Sequence, residues 1–377
     1  MNRLLPDLRP LLADRPLPSG FLIDLYHTFT RHPAVRILGW TVAVVVAAFL
    51  AWKATDNQIT QTLFGVDPHD SIRRLIAGTA ARPFVFRQFA PSLIWLADRK
   101  LDIPDLIARA PPFLAGKMPL LCARYVNGGE SSCREIVAYL PVGVGLYFIF
   151  MMTMFDLGRR LFGNRLAVGF GTMYLAFALE NAIILIGLSH TYDWGTLMFG
   201  ALFLWCLTTD RPVLFCVLMP LACLNKETAI LYAPAFLLVA LKRMPARRAV
   251  TLFGVQILSF LLVYGTQRLR YSADPGTWLE IHLMGQIYLF SEHIDLPLLY
   301  GLLGTAVLAF SGFADKPLVL RAGCIMIPPW AILFLIGAEP REIRDTFELL
   351  PLLALMVTHS LLALISTPTT PTKVSVS

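Results

Sequence analysis

Residues 222–236 read ACLNKETAILYAPAF and place Lys226 and Glu227 inside thirty residues, 212–241, that otherwise read as membrane-embedded. Charge in hydrocarbon costs several kcal/mol and is usually retained for a task. As one helix, 212–241 would span about 45 Å at ~1.5 Å per residue, too long for a hydrocarbon core of about 30 Å. It would also carry Lys242, Arg243, Arg247 and Arg248 away from the side that holds the other basic turns. As a hairpin broken at Asn225, each leg is about 13 residues, or roughly 20 Å. Such legs are short, but Pro220 and Pro234 loosen both, and short or broken helices are tolerated where they line a polar cavity. The charge distribution selects the hairpin. Lys226 and Glu227 are then expected at its tip, facing an outer cavity below the membrane surface.

The rest of the chain sets this hairpin in a membrane. Of 377 residues, 56% are hydrophobic and 15% charged, where soluble domains carry roughly a quarter charged. Mean hydropathy is +0.64. Apolar segments recur at 34–54, 136–157, 166–188, 194–209, 212–224, 228–241, 249–266, 297–312, 317–338 and 347–365. The expected fold is all-α, a polytopic helical membrane protein of about ten segments with a single transmembrane domain over 34–365. No internal repeat is visible. The pI of 9.2 reflects topology and anionic headgroups rather than a nucleic-acid partner.

Charge also sets the expected orientation. Residues 1–33 hold five prolines and four arginines without an apolar core, so the span from Ala34 is expected to act as a signal anchor. Arg3, Arg9, Arg15, Arg31 and Arg36 place this N-terminal segment in the cytoplasm. Alternation puts the basic turns GRRLFGNR (158–165), TTDRP (208–212), LKRMPARR (241–248) and ADKPLVLR (314–321) on the same side. Residues 366–377, STPTTPTKVSVS, read as a disordered cytoplasmic tail.

Residues 55–135 form the long first outer loop. Its mixture of apolar, charged and proline residues suits interfacial helices lying on the membrane surface. Cys122 and Cys133, with ten residues between them, are the cysteines outside the apolar segments. In an oxidising compartment they form a disulfide candidate, the alternative being two free thiols.

Four polar clusters share the outer side: 64–94, 188–196 (LSHTYDWGT), 224–228 (LNKET) and 338–351 (AEPREIRDTFELLP). Charges that face one cavity point to a functional site. Together, an RPFxxRxxxP element at 82–91, the Tyr192-Asp193 turn, the Lys226-Glu227-Thr228 hairpin and an ExRxxxExxP element at 342–351 resemble bacterial multispanning proteins of the GT-C glycosyltransferase superfamily. The resemblance implies transfer of a sugar from a polyprenyl-phosphate carrier at the outer face of a bacterial inner membrane. It assigns the first-loop carboxylate to Asp67 or Asp70, and the lysine facing the carrier phosphate to Lys226. The chain departs from the pattern in having no adjacent Asp-Glu pair in the first loop and no soluble C-terminal domain.

Such a transfer needs a base for the acceptor hydroxyl and cations for the departing phosphate. Asp70 is the first candidate base and Asp67 the second, with a helix N-cap before SIRRLIAG (71–78) as the structural alternative for Asp70. Lys226, Arg82, Arg87, Arg341 and Arg344 are candidates for the phosphate clamp, with Glu342 beside them. Glu227 is expected to orient Lys226. His190, Tyr192 and Asp193 offer groups for acceptor or sugar hydroxyls, or else form an interfacial cap with Trp194 as an aromatic belt residue. Glu180 and Asn181 are expected to make interhelical hydrogen bonds. A divalent metal is compatible with this chemistry, but no ligand spacing indicates one: His282, Glu292 and His293 do not fit a metal site. The competing readings are a transporter or flippase for a lipid-linked or anionic solute, a polysaccharide polymerase or ligase, and a non-catalytic assembly partner.

Overall fold

The computed structural model describes residues 33–61, 72–100, 133–163, 165–184, 190–273, 296–337 and 343–366, and among these there is no strand. The helices are α1 (Pro33–Gln61), α2 (Ile72–Ala77), α3 (Phe89–Lys100), α4 (Cys133–Phe162), α5 (Leu166–Ile184), α6 (Asp193–Thr208) and α7 (Pro212–Asn225). They continue as α8 (Tyr232–Arg243), α9 (Ala246–Arg270), α10 (Leu296–Phe310), α11 (Leu318–Gly323), α12 (Ile327–Gly337) and α13 (Leu350–Ser366). The fold is all-α, and among the described residues each apolar segment of the sequence contains helix.

Among the described residues, five helical runs are long and apolar enough to cross a membrane: Ile37–Ile59, Glu135–Phe162, Leu166–Ile183, Ala246–Arg270 and Leu318–Gly337. The shorter apolar helices are Asp193–Thr208, Pro212–Asn225 and Leu350–Ile365. The chain falls into two compact units, Met1–Val46 and Ala47–Ser377. In the first, the leading half of α1 exposes Ile37, Leu38 and Val45, and Thr41 Oγ1 donates to the Ile37 carbonyl at 2.9 Å.

Helix α6 is apolar on every side and nearly every residue of it is buried, as such a helix must be inside a larger core. It packs on α4, α7 and α13. The α7–α8 stretch is the broken hairpin that charge and length predict. Helix α7 stops at Asn225, Lys226 is extended (φ −157°, ψ 134°), a 3-10 turn runs Glu227–Leu231, and α8 follows. The legs run antiparallel: Phe215 meets Phe236 with ring centroids 4.9 Å apart, and the Arg243 guanidinium donates to the Leu207 carbonyl.

The break is seated on two glycines of α6. A Cβ at Gly195 would lie 2.1 Å from Asn225 Oδ1, and one at Gly200 would lie 2.5 Å from the Tyr232 hydroxyl. Only glycine admits the residues that flank the break so closely.

Helix α1 ends later than the apolar run implies, at Gln61 rather than near residue 54. Its polar last turns find partners inside the protein. Asn57 Nδ2 donates to Asn181 Oδ1 at 2.9 Å, Gln58 Nε2 to the His190 carbonyl at 2.9 Å, and the Tyr139 hydroxyl to Gln58 Oε1. The interhelical bond expected of Glu180 also forms, from the Tyr147 hydroxyl at 2.6 Å. Helix α3 buries Ala90 and Ile94, turns Trp95 and Leu96 outward, and stacks Arg99 on Trp95 at 4.2 Å.

Candidate functional site

Arg87 is positioned by a compact turn. After α2, Gly78 takes φ +69°, and a Cβ there would stand 3.2 Å from the Tyr271 ring. Leu75, Ala80, Val85, Phe86 and Tyr271 form a buried apolar knot at this point. Gln88 Nε2 donates to the Val85 carbonyl at 2.7 Å and fixes the end of the Phe84–Phe86 3-10 turn. The Arg87 guanidinium lies over the Tyr192 ring at 4.4 Å and donates to the Tyr192 hydroxyl. It forks onto Glu227, Nη2 to Oε1 at 3.1 Å and Nε to Oε2 at 3.4 Å. A planar fork suits a carboxylate in this way.

Lys226 sits at the end of α7, where the extended residue breaks the helix. Its Nζ meets Asp345 Oδ1 at 2.7 Å and Glu348 Oε1 at 2.6 Å. Both acids lie on the 3-10 turn Ile343–Glu348, just before α13. That turn is tied down by Thr228 Oγ1 donating to Glu348 Oε1 at 2.7 Å, by the Tyr232 hydroxyl donating to the Glu348 carbonyl at 2.6 Å, and by Trp330 Nε1 donating to the Asp345 carbonyl at 2.7 Å.

The third contribution comes from the start of α6. Asp193 Oδ2 accepts the His190 backbone N–H at 2.7 Å, and the His190 ring stacks on Tyr192 at 5.1 Å. Asn225 Nδ2 donates to the Tyr192 carbonyl at 3.0 Å and to Thr196 Oγ1 at 3.1 Å, which joins this turn to the hairpin break. Trp194 is not a belt residue: it is fully buried, with its ring 4.8 Å from Tyr147 and 6.3 Å from Phe347. Its place on a helix enclosed on all sides accounts for this.

The charges are strongly coupled. Burial opposes the Arg87 cation, but Glu227 and Tyr192 outweigh it and hold its pKa above the ordinary value. Burial likewise opposes the Lys226 ammonium, and Asp345 and Glu348 more than reverse it. Burial would raise the Glu227 carboxyl, yet Arg87 pulls it below the ordinary range. Glu348 goes the other way: burial pushes it up and Asp345 adds to the rise, against the pull of Lys226.

The structure therefore brings together Lys226, Glu227, Arg87, His190, Tyr192 and Asp193 from the expected residues. Arg82 is half-buried just ahead of the 3-10 turn that carries Arg87. Arg344 belongs to the 343–348 turn. Asp67, Asp70, Arg341, Glu342 and Cys122 lie outside the described residues, and Cys133 opens α4. The expected Lys226–Glu227 partnership is rearranged, because Glu227 serves Arg87 while Lys226 takes Asp345 and Glu348. Sequence reasoning missed those two acids as site residues. The available signal was Glu348 as the second glutamate of the ExRxxxExxP element, with Asp345 three residues before it. Among the described residues, no group of three or more His, Cys, Asp or Glu side chains is arranged to hold a metal ion. No family model, curated protein or solved structure matches this chain.

Proposed function

We propose that this protein is a GT-C-like membrane glycosyltransferase, moving a sugar from a polyprenyl-phosphate carrier to an acceptor on the extracytoplasmic face. Its setting is a bacterial inner membrane, with the N-terminus cytoplasmic. The observation that carries this reading is the meeting of Arg87 and Lys226, from segments far apart in sequence, over a broken hairpin with Tyr192 and three carboxylates. Arg87 and Lys226 serve as the phosphate site, where a partly desolvated cation acts strongly because the effective dielectric is low. Asp70, with Asp67 as second candidate, supplies the base. His190 and Asp193 border the same site and bind hydroxyls of sugar or acceptor.

The test is transfer from a polyprenyl-phosphate sugar in proteoliposomes. Lys226→Ala lowers the rate by several orders of magnitude if the phosphate is stabilised mainly in the transition state. Asp70→Asn stops turnover and leaves donor binding intact. Full transfer by an inserted, folded Lys226→Ala protein overturns the reading. A transporter is the second reading, favoured by Glu180, a carboxyl buried inside α5 against Tyr147. Solute uptake without transfer decides for it.

A further inference from the structure

At the hairpin break Lys226 is held by two carboxylates, Asp345 and Glu348, while Glu227 serves Arg87. An anionic phosphate has to take Lys226 from carboxylates that already hold it. The two acids differ in how far they can give way. The Asp345 side chain is a quarter exposed, whereas that of Glu348 is 3% exposed. Glu348 Oε1 is used by Lys226 and Thr228, and its buried Oε2 has no hydrogen-bond partner among the described residues. Glu348 also lines a cavity with about 10 Å³ of room, bordered by Thr196, Asn225, Lys226, Thr228 and Tyr232, which suffices for one water. A water in that cavity would stand beside the Glu348 side chain.

Two carboxylates on one ammonium lie within about 5 Å of each other, an arrangement in which one of them holds its proton more tightly. We propose that Glu348 is a proton-coupled gate on the phosphate site: binding of a lipid phosphodiester takes up one proton from solvent onto Glu348 Oε2. An O–H bond forms there, Glu348 loses its charge, and the Lys226 ammonium passes from that carboxylate to a phosphate oxygen. The net negative charge carried in by the ligand is matched by the proton that enters with it. This rests on the phosphate reading of the site above.

The groups that face Glu348 all bear on this step. Lys226 at the end of α7 favours the carboxylate, and Thr228 on the following turn donates to it. Asp345 on the same turn favours the proton. Tyr232 of α8 holds the Glu348 carbonyl, and Glu227 with Arg87 forms the neighbouring pair. Burial already keeps the Glu348 carboxyl above its ordinary range, with Asp345 adding to the rise.

The experiment is calorimetric titration of the full-length protein, in detergent, with a short-chain prenyl phosphodiester, whose phosphate stays singly charged across the neutral range. It is repeated in buffers of different ionisation enthalpy. The expected slope is uptake of about one proton per site, and affinity that falls up to tenfold per pH unit on the alkaline side. Glu348→Gln is expected to bind with a slope near zero and affinity that hardly changes with pH. Wild-type binding with no proton uptake overturns the gate and leaves the phosphate site standing. Uptake that persists in Glu348→Gln also overturns it, by moving the proton elsewhere. Failure of the wild type to bind any phosphodiester overturns the gate together with the function it rests on. A wild-type slope of zero overturns the gate even if the Glu348→Gln variant does not fold.

Discussion

Two lysines are buried at opposite ends of the same helices, and their surroundings are unlike. Lys226 at the hairpin break holds two carboxylates at 2.7 and 2.6 Å. Lys316, in the turn before α11, donates to the Met356 carbonyl at 2.9 Å and to Ser360 Oγ at 2.8 Å. Partners of the first precede α13, and those of the second, Met356 and Ser360, lie about 9 and 15 Å along its axis from Leu350. The end with Lys316 also carries exposed Arg211, Lys242, Arg243, Arg247 and Arg248. At the Lys226 end, ion pairs join segments more than a hundred residues apart; at the other end, Arg160 pairs with Asp156 one helical turn away. Burial of a lysine does not by itself mark a site. A complement of acids gathered from several elements does.

The largest expected effect is at Lys226. Lys226→Met leaves Asp345 and Glu348 in place without their cation, which costs about 3–5 kcal/mol when a buried pair loses one member. Thermal unfolding in detergent measures it. Adding Glu348→Gln to Lys226→Met should restore part of the loss, because the orphaned charge is then removed. A loss for Lys226→Met no larger than that for Lys316→Met would break the contrast between the two ends.

Next is the seat of the hairpin. Gly195→Ala drives a methyl group to 2.1 Å from Asn225 Oδ1, and overpacking of this kind costs about 1–3 kcal/mol. Gly254→Ala on α9 meets nothing within 4 Å and should be neutral or slightly stabilising, as expected of Ala for Gly in a helix. The same melting experiment on the two variants shows whether the break depends on close approach at α6. Equal effects would mean that it does not.

The hairpin was legible because two independent limits, helix length against membrane thickness and the side of the basic turns, ruled out a straight helix. Those limits need only local sequence. The end of α1 was not legible, since Thr55–Gln61 is largely polar and its Asn57 and Gln58 find partners in Asn181, His190 and Tyr139, more than eighty residues away. The partners of Lys226 were hidden for the same reason. Glu227 is its neighbour in sequence, yet the extended backbone at 226 and the following 3-10 turn aim the two side chains at different partners. Trp194 misled because Trp near a segment end is common at membrane interfaces, whereas α6 is enclosed by protein.

A smaller effect comes from the Glu227–Arg87 pair. The folded-state pKa of Glu227 lies below its unfolded value. Its contribution is therefore complete above about pH 4.5, the ordinary glutamate range, and is lost as pH falls through the lower folded value. Melting temperature followed from pH 7 downward should drop on this limb. Glu227→Gln should flatten the drop, and an unchanged acid limb would show that Arg87 does not hold the carboxylate.

The smallest effect is expected at Lys316, and its sign is what sharpens the comparison. Burial pushes the Lys316 amine below the ordinary 10.5. Between its folded and unfolded values the unfolded chain binds more protons, so stability rises with pH through that window. The charged form is thus the strained one at this end, the reverse of Lys226, whose acids favour the cation. Lys316→Met removes two hydrogen bonds along with a buried charge held only by a carbonyl and a hydroxyl, and replacing buried ionic groups by apolar ones of similar size is often neutral. A change under about 1 kcal/mol is expected, together with loss of the rise in stability toward alkaline pH. A large destabilisation at neutral pH would mean that Lys316 is a second charge centre, and the two ends would then differ only in which groups satisfy the cation.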